Sequence, residues 1–163
     1  IGELWELFSC KYLLQVRRFR RVTRLGDLTK AELDAYGLKK RDVGIDLVGV
    51  DEEGHPIAVQ CKFRSRGSVA WRDISTFEAL CGRTGPWRQH MVVTNAPHVR
   101  REGARRPKDA TVRLEDFEAM KRHEWHSIAG IGEGYTCGNP EHPDVIRENW
   151  LKSLDAATSR GDE

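Results

Sequence analysis

Two short β-branched runs, residues 45–50 and 57–63, flank Asp51-Glu52-Glu53-Gly54-His55, a linker of hairpin length rich in turn residues. Side chains alternate along a strand, so a slip of one residue would exchange the two faces. With a five-residue loop at 51–55, Val50 pairs with Pro56, which suits the edge of the loop better than the interior of a ladder. Asp46 then falls opposite Gln60, while Ile45, Leu47, Val59 and Phe63 share the other face. The apolar pattern thus selects the register that gathers Asp46, Gln60 and Lys62 on one patch. Burying a carboxylate, an amide and an ammonium together without partners costs several kcal/mol, about the penalty known for unpaired buried polar groups. A wet cleft or a bound cation removes that cost.

The remaining elements follow from periodicity. Residues 2–16 read as a helix, with Trp5, Phe8 and Tyr12 at helical spacing and Leu4, Leu7, Leu13 and Leu14 widening the stripe. Residues 19–23 give a weak strand. A short helix is expected over 30–36, with Thr29 as N-cap, Glu32 completing a capping box and Gly37 as the stop. Residues 69–81 return to helical spacing through Ala70, Ile74, Phe77 and Cys81, ended by Gly82. Strands are expected at 90–95 and 111–114, then a helix through Phe117 and Met120. Residues 123–143 read as irregular and 145–154 as a last helix, with Trp125 and Trp150 anchoring the tail by burial. The economical architecture is α/β, a mixed sheet flanked by helices. It forms one domain over 1–122, followed by a segment, 123–163, that reads as a linker to a further domain.

Charge is informative by position. The net charge is only +2, yet the stretch from Lys11 to Arg24 holds six basic residues and no acid, and 98–108 is basic but for Glu102. The end of the chain is acidic. A basic body suits a polyanion-binding domain, and Arg17, Arg18, Arg20, Arg21, Arg64, Arg66, Arg100, Arg101, Arg105 and Arg106 are the candidates for phosphate contact. No run approaches the roughly 20 apolar residues of a spanning helix. Hydrophobic residues make up 39% of the chain, set in periodic blocks, which excludes wholesale disorder. Cys10, Cys61, Cys81 and Cys137 are too scattered for a disulfide framework, so reduced thiols in an intracellular protein are expected, in cytoplasm or nucleoid, nucleus or organelle. His123, His126, Cys137 and His142 fit no standard zinc-finger spacing, and surface histidines are expected there.

An Asp, a neighbouring oxygen donor and a Lys suit metal-assisted phosphodiester hydrolysis. Asp46, the Gln60 side-chain carbonyl and the Cys61 backbone carbonyl offer the hard oxygen ligands that Mg²⁺ prefers, and Mn²⁺ can substitute. Lys62 can position the attacking water or offset developing charge.

Gly44-Ile45-Asp46-Leu47 followed by Val59-Gln60-Cys61-Lys62 resembles the Mrr-type branch of the PD-(D/E)xK, or restriction-endonuclease-like, superfamily, in which Gln commonly stands where relatives have Glu. Gly2-x-x-Trp5-Glu6 is similar to the Gly-x-x-Phe-Glu of that family's first helix, over a likeness spanning about residues 2–120. Asp42-Val43 replaces the Pro-Asp signature, and 26–41 is a longer insertion. The resemblance implies an αβββαβ core and a Mg²⁺-dependent DNA endonuclease, often the N-terminal module of a restriction or helicase-like protein. It also implies Glu6 facing the site, with Glu3, one turn away, as the alternative. Two other readings stay open: a catalytically silent nucleic-acid-binding module, for which the neutral Gln60 argues, and a junction-selective nuclease acting as a homodimer.

Overall fold

The computed structural model describes residues 2–42, 44–102 and 106–131, apart from the side chains of His126 and residues 129–131. A helix, α1 (Gly2–Gln15), leads into strand β1 (Arg21–Arg24), a 3-10 turn at Leu25–Asp27 and helix α2 (Lys30–Tyr36). The hairpin β2 (Leu47–Val50) and β3 (Pro56–Lys62) follows, then helix α3 (Trp71–Arg83) and strands β4 (Gln89–Thr94) and β5 (Asp109–Val112). Helices α4 (Leu114–Glu118) and α5 (Arg122–Ile131) complete the described chain.

The strands form one mixed sheet in sequence order, β1-β2-β3-β4-β5. β1, β2 and β3 are antiparallel, and β3, β4 and β5 run parallel. The hairpin register is the one the apolar pattern selects: Val50 opposes Pro56 and Leu47 opposes Val59. Alternation splits each strand between two cores. Leu47, Val59, Met91, Val93 and Val112 face α1, α4 and α5, while Val48, Ala58 and Val92 face α2 and α3.

On the first face α1 supplies Trp5, Phe8 and Tyr12, which pack with Phe117 and Trp125. Ring centroids lie 5.2 Å apart for Trp5–Phe8 and 5.0 Å for Tyr12–Phe117. The Trp5 indole N–H donates to the Val93 carbonyl at 3.1 Å, which fixes α1 against the C-terminal end of β4. On the second face Ile74, Phe77, Leu80 and Cys81 of α3 are buried, as their spacing requires. In α2 the capping box forms as expected: Thr29 Oγ1 accepts the Glu32 N–H, the Glu32 carboxylate accepts the Thr29 N–H, and Gly37 takes the left-handed conformation.

Several details differ from the expectations, among them β5, which runs over Asp109–Val112, two residues before the expected 111–114. Phe19 is not in a strand: its ring packs against Gly49, where a Cβ would meet it at 2.7 Å, and β1 begins two residues later. The 69–81 helix starts and ends two residues later, at Trp71 and Arg83, since Gly82 is tolerated inside its last turn. The segment expected to be irregular from 123 is helical as far as Ile131, because Trp125 and Ile128 have an apolar seat beside Phe8 and Phe117. Finally, β2 starts at Leu47 rather than at Ile45, which leaves Asp46 just outside the strand.

Candidate active site

Gly44 has φ +119°, and a Cβ there would stand 3.1 Å from the Phe77 backbone, so the chain passes close against α3 in a conformation suited to glycine. That path carries Ile45 into the α3 core with Ile74 and Phe77 instead of keeping it on the face of Leu47 and Val59. Asp46 consequently sits just before β2, one residue outside its first ladder pair, Leu47–Val59. Its backbone is held on both sides, the N–H donating to the Val59 carbonyl at 2.9 Å and the carbonyl accepting the Leu25 N–H at 3.0 Å. Its carboxylate accepts the Cys61 N–H at 2.8 Å, a side-chain bond in place of a ladder bond. The Cys61 amide thus ties the aspartate to the strand that carries Gln60 and Lys62.

Asp46, Gln60, Cys61 and Lys62 line one cleft of about 400 Å³ with Glu6, Gly44, Arg72, Asp73 and Thr76. A second cleft of about 400 Å³, lined by Arg24, Gly26, Asp27 and Asp42, shares Glu6, Gly44 and Asp46 with it. Burial pushes the Asp46 carboxyl up to about 6, and the Glu6 charge adds to this, while the Cys61 N–H and the Lys62 ammonium hold it back. Glu6 lines both clefts and is held by Arg24 at 3.0 Å; Glu3, also near Arg24 at 3.6 Å, has a side chain 82% exposed at the rim. The Cys61 thiol turns the other way, against the α1 core, and burial raises it well above the usual thiol range.

Gln60 decides whether a cation fits. The residue is 6% exposed, and its side-chain oxygen is buried without a hydrogen-bond partner. Such an orphan is costly unless something binds it. With the carboxylates of Asp46 and Glu6 on the same cleft, it completes a hard-oxygen donor set that suits a divalent ion of the Mg²⁺ type.

A second group, Glu78, His90 and Asp109, brings three ligand atoms within 4.8 Å of one another and could hold a metal. There, however, the Arg101 guanidinium bonds Glu78 and lies 3.4 Å from Asp109, so a cation already bridges the carboxylates. Burial opposes ionisation of Glu78, but His90 and Arg101 outweigh it and hold its carboxyl low. Nothing in the spacing of these residues announced the group, because α3, β4, β5 and a loop each contribute one member.

The expected phosphate-binding arginines divide. Arg18, Arg20, Arg66, Arg100 and Arg106 are exposed. Arg17 is engaged with Tyr12 and Asp116, Arg21 with Glu32 and Arg64 with Asp73. Arg101 is a correction: its side chain is only 13% exposed and committed to Glu78, Asp109 and the Ala110 carbonyl, so it supports the β4–β5 connection and does not face solvent. Arg105, Cys137, His142 and the His126 side chain lie outside the described residues. Sequence reasoning missed Arg72, Asp73 and Thr76, which reach the cleft through the docking of α3.

The comparisons agree with this fold. A family model described as a restriction endonuclease, of the Mrr type, matches residues 14–127, and the chain belongs to that family. The matched span contains Asp46, Gln60 and Lys62 and begins after Glu6. Membership implies a nuclease. No curated protein and no solved structure shows a significant match. No helix among the described residues is long and apolar enough to cross a membrane, and Cys10, Cys61 and Cys81 are free thiols.

Proposed function

We propose that this chain is a divalent-metal-dependent DNA endonuclease domain whose site is built from Asp46, Gln60 and Lys62, with Glu6 as the carboxylate contributed by α1. The observation that carries the reading is the buried, unpartnered Gln60 oxygen on the same cleft as Asp46 and Lys62. Asp46, Gln60 and the Cys61 backbone carbonyl would hold Mg²⁺ or Mn²⁺, with Glu6 beside them; the ion would polarise the scissile phosphate and favour an ionised water. Lys62 stands two residues beyond Gln60 on the same face of β3, where its ammonium orients water and offsets charge on the phosphate oxygens. Arg24 holds Glu6 in place from the side of the second cleft.

Arg18, Arg20, Arg66, Arg100 and Arg106 supply sequence-independent phosphate contacts. Because several of the other arginines are already paired, this affinity is modest. That fits a module delivered to its target by a further domain of the same protein, of the helicase kind, or by pairing as a homodimer.

The test is cleavage of supercoiled and linear duplex DNA with Mg²⁺, Mn²⁺ or EDTA by the parent, Asp46→Asn and Lys62→Ala. Cutting by the parent alone, abolished by EDTA, supports the reading. A parent that binds DNA equally with or without metal and never cuts would make the silent binding module the better account, the reading that the neutral Gln60 favours.

A further inference from the structure

We infer that Arg72 is the substrate-binding cation of the active-site cleft, gripping a backbone phosphate of the cleaved strand next to the scissile one, with the Thr76 hydroxyl beside it. The inference rests on the nuclease reading above and adds a residue to it. Arg72 and Thr76 are four residues apart on α3 and so share a face, and both line the cleft that holds Asp46, Gln60 and Lys62.

Its neighbour on α3 explains why Arg72 is available. Asp73, its obvious acidic neighbour, is spent twice: one carboxylate oxygen accepts the Ala70 N–H at 2.9 Å, capping α3, and the other faces Arg64 at 3.7 Å. Arg72 makes no ion pair or hydrogen bond with any described residue, and it is exposed. The cleft walls otherwise carry Glu6, Asp46 and Asp73, so a phosphodiester entering it meets repulsion except at Lys62 and Arg72. Lys62 is adjacent to the donor set and serves the reacting phosphate. A guanidinium from α3, presenting up to five N–H groups, suits the neighbouring phosphate.

The test measures DNA binding and cleavage for the parent, Arg72→Ala, Arg72→Lys and Thr76→Ala. Binding is read with a fluorescent duplex in Ca²⁺ and in EDTA over a series of salt concentrations. Arg72→Ala is expected to weaken binding by about tenfold and to reduce the slope of log affinity against log salt by about 0.9, the value of one lost phosphate contact. In cleavage it raises KM with little change in kcat, Arg72→Lys recovers most of the loss, and Thr76→Ala produces a smaller rise in KM. Unchanged binding and an unchanged salt slope for Arg72→Ala would overturn the inference even if the parent cuts. So would an equal fall in kcat for Arg72→Ala and Arg72→Lys at unchanged KM. If the parent fails to cut, the proposed function falls, and the salt-slope measurement still decides on Arg72 by itself.

Discussion

Replacing Asp46 with Asn separates what this residue does for the fold from what it does for the site. Its carboxyl rises from an ordinary 3.8 to about 6, first because it is buried and then because Glu6 stands near it. About two pH units at roughly 1.4 kcal/mol each means that ionised Asp46 destabilises the metal-free fold by about 3 kcal/mol at pH 8. The folded pKa lies above the unfolded one. The protonated group's contribution is therefore fully present below pH 3.8 and is lost as the pH rises through about 6. The Asn side-chain oxygen can still accept the Cys61 N–H, so the substitution removes the charge and keeps the bond. In EDTA at pH 8, Asp46→Asn should be more stable than the parent by about 2–3 kcal/mol, or about 5–10 °C in Tm for a chain of this size. The difference should shrink toward zero near pH 4. Adding Mg²⁺ should raise the Tm of the parent and leave that of the variant unmoved. Urea denaturation and thermal melts at pH 4, 6 and 8 read all of this. A variant no more stable than the parent at pH 8, or one whose advantage is the same at pH 4, would refute the reasoning.

Other expected outcomes follow from the same geometry. Lys62→Ala should lose cleavage by at least about 10²-fold, the lower end for a positioned acid–base or charge-offsetting group, with Tm within a few degrees of the parent. Gly44→Ala should lower stability by about 1–3 kcal/mol in urea, because it combines an unfavourable φ with a Cβ 3.1 Å from the Phe77 backbone. It should also impair cleavage by shifting Asp46. Arg101→Ala should cost about 3–5 kcal/mol, since it leaves Glu78 and Asp109 buried without their cation, and it should do so without altering metal affinity at Asp46. The Glu78 carboxyl is held below its ordinary 4.5, so its ion pairs stabilise the fold above that pH and are lost as the pH falls through the lowered value. Acid melts of Glu78→Gln against the parent would show the difference closing there.

Legibility in the sequence followed the range of the interaction. The hairpin register came from alternation over a dozen residues, and the α2 caps from a four-residue pattern, Thr29 to Glu32; both are local and both formed as read. Asp46, Gln60, Lys62 and Glu6 were named from register and resemblance, and the fold brings them to one cleft. What could not be read was where the local rule yields to packing. Ile45 looks like a strand residue, yet Gly44 turns it into the α3 core, and Asp46 is left just outside the strand, on the cleft. Arg101 looks like one more member of a basic run, and only the meeting of α3, β4 and β5 makes it a buried counter-ion. The helix through Trp125 was missed for a related reason: its support is Phe8, more than a hundred residues earlier.

Anomalous scattering from a crystal soaked in Mn²⁺ tests the central claim most directly. The account predicts a peak between the Asp46 carboxylate and the Gln60 side-chain oxygen, absent in Asp46→Asn. A peak at Glu78, His90 and Asp109 instead, or none beside Gln60 in a crystal that still cuts DNA when dissolved, would contradict it.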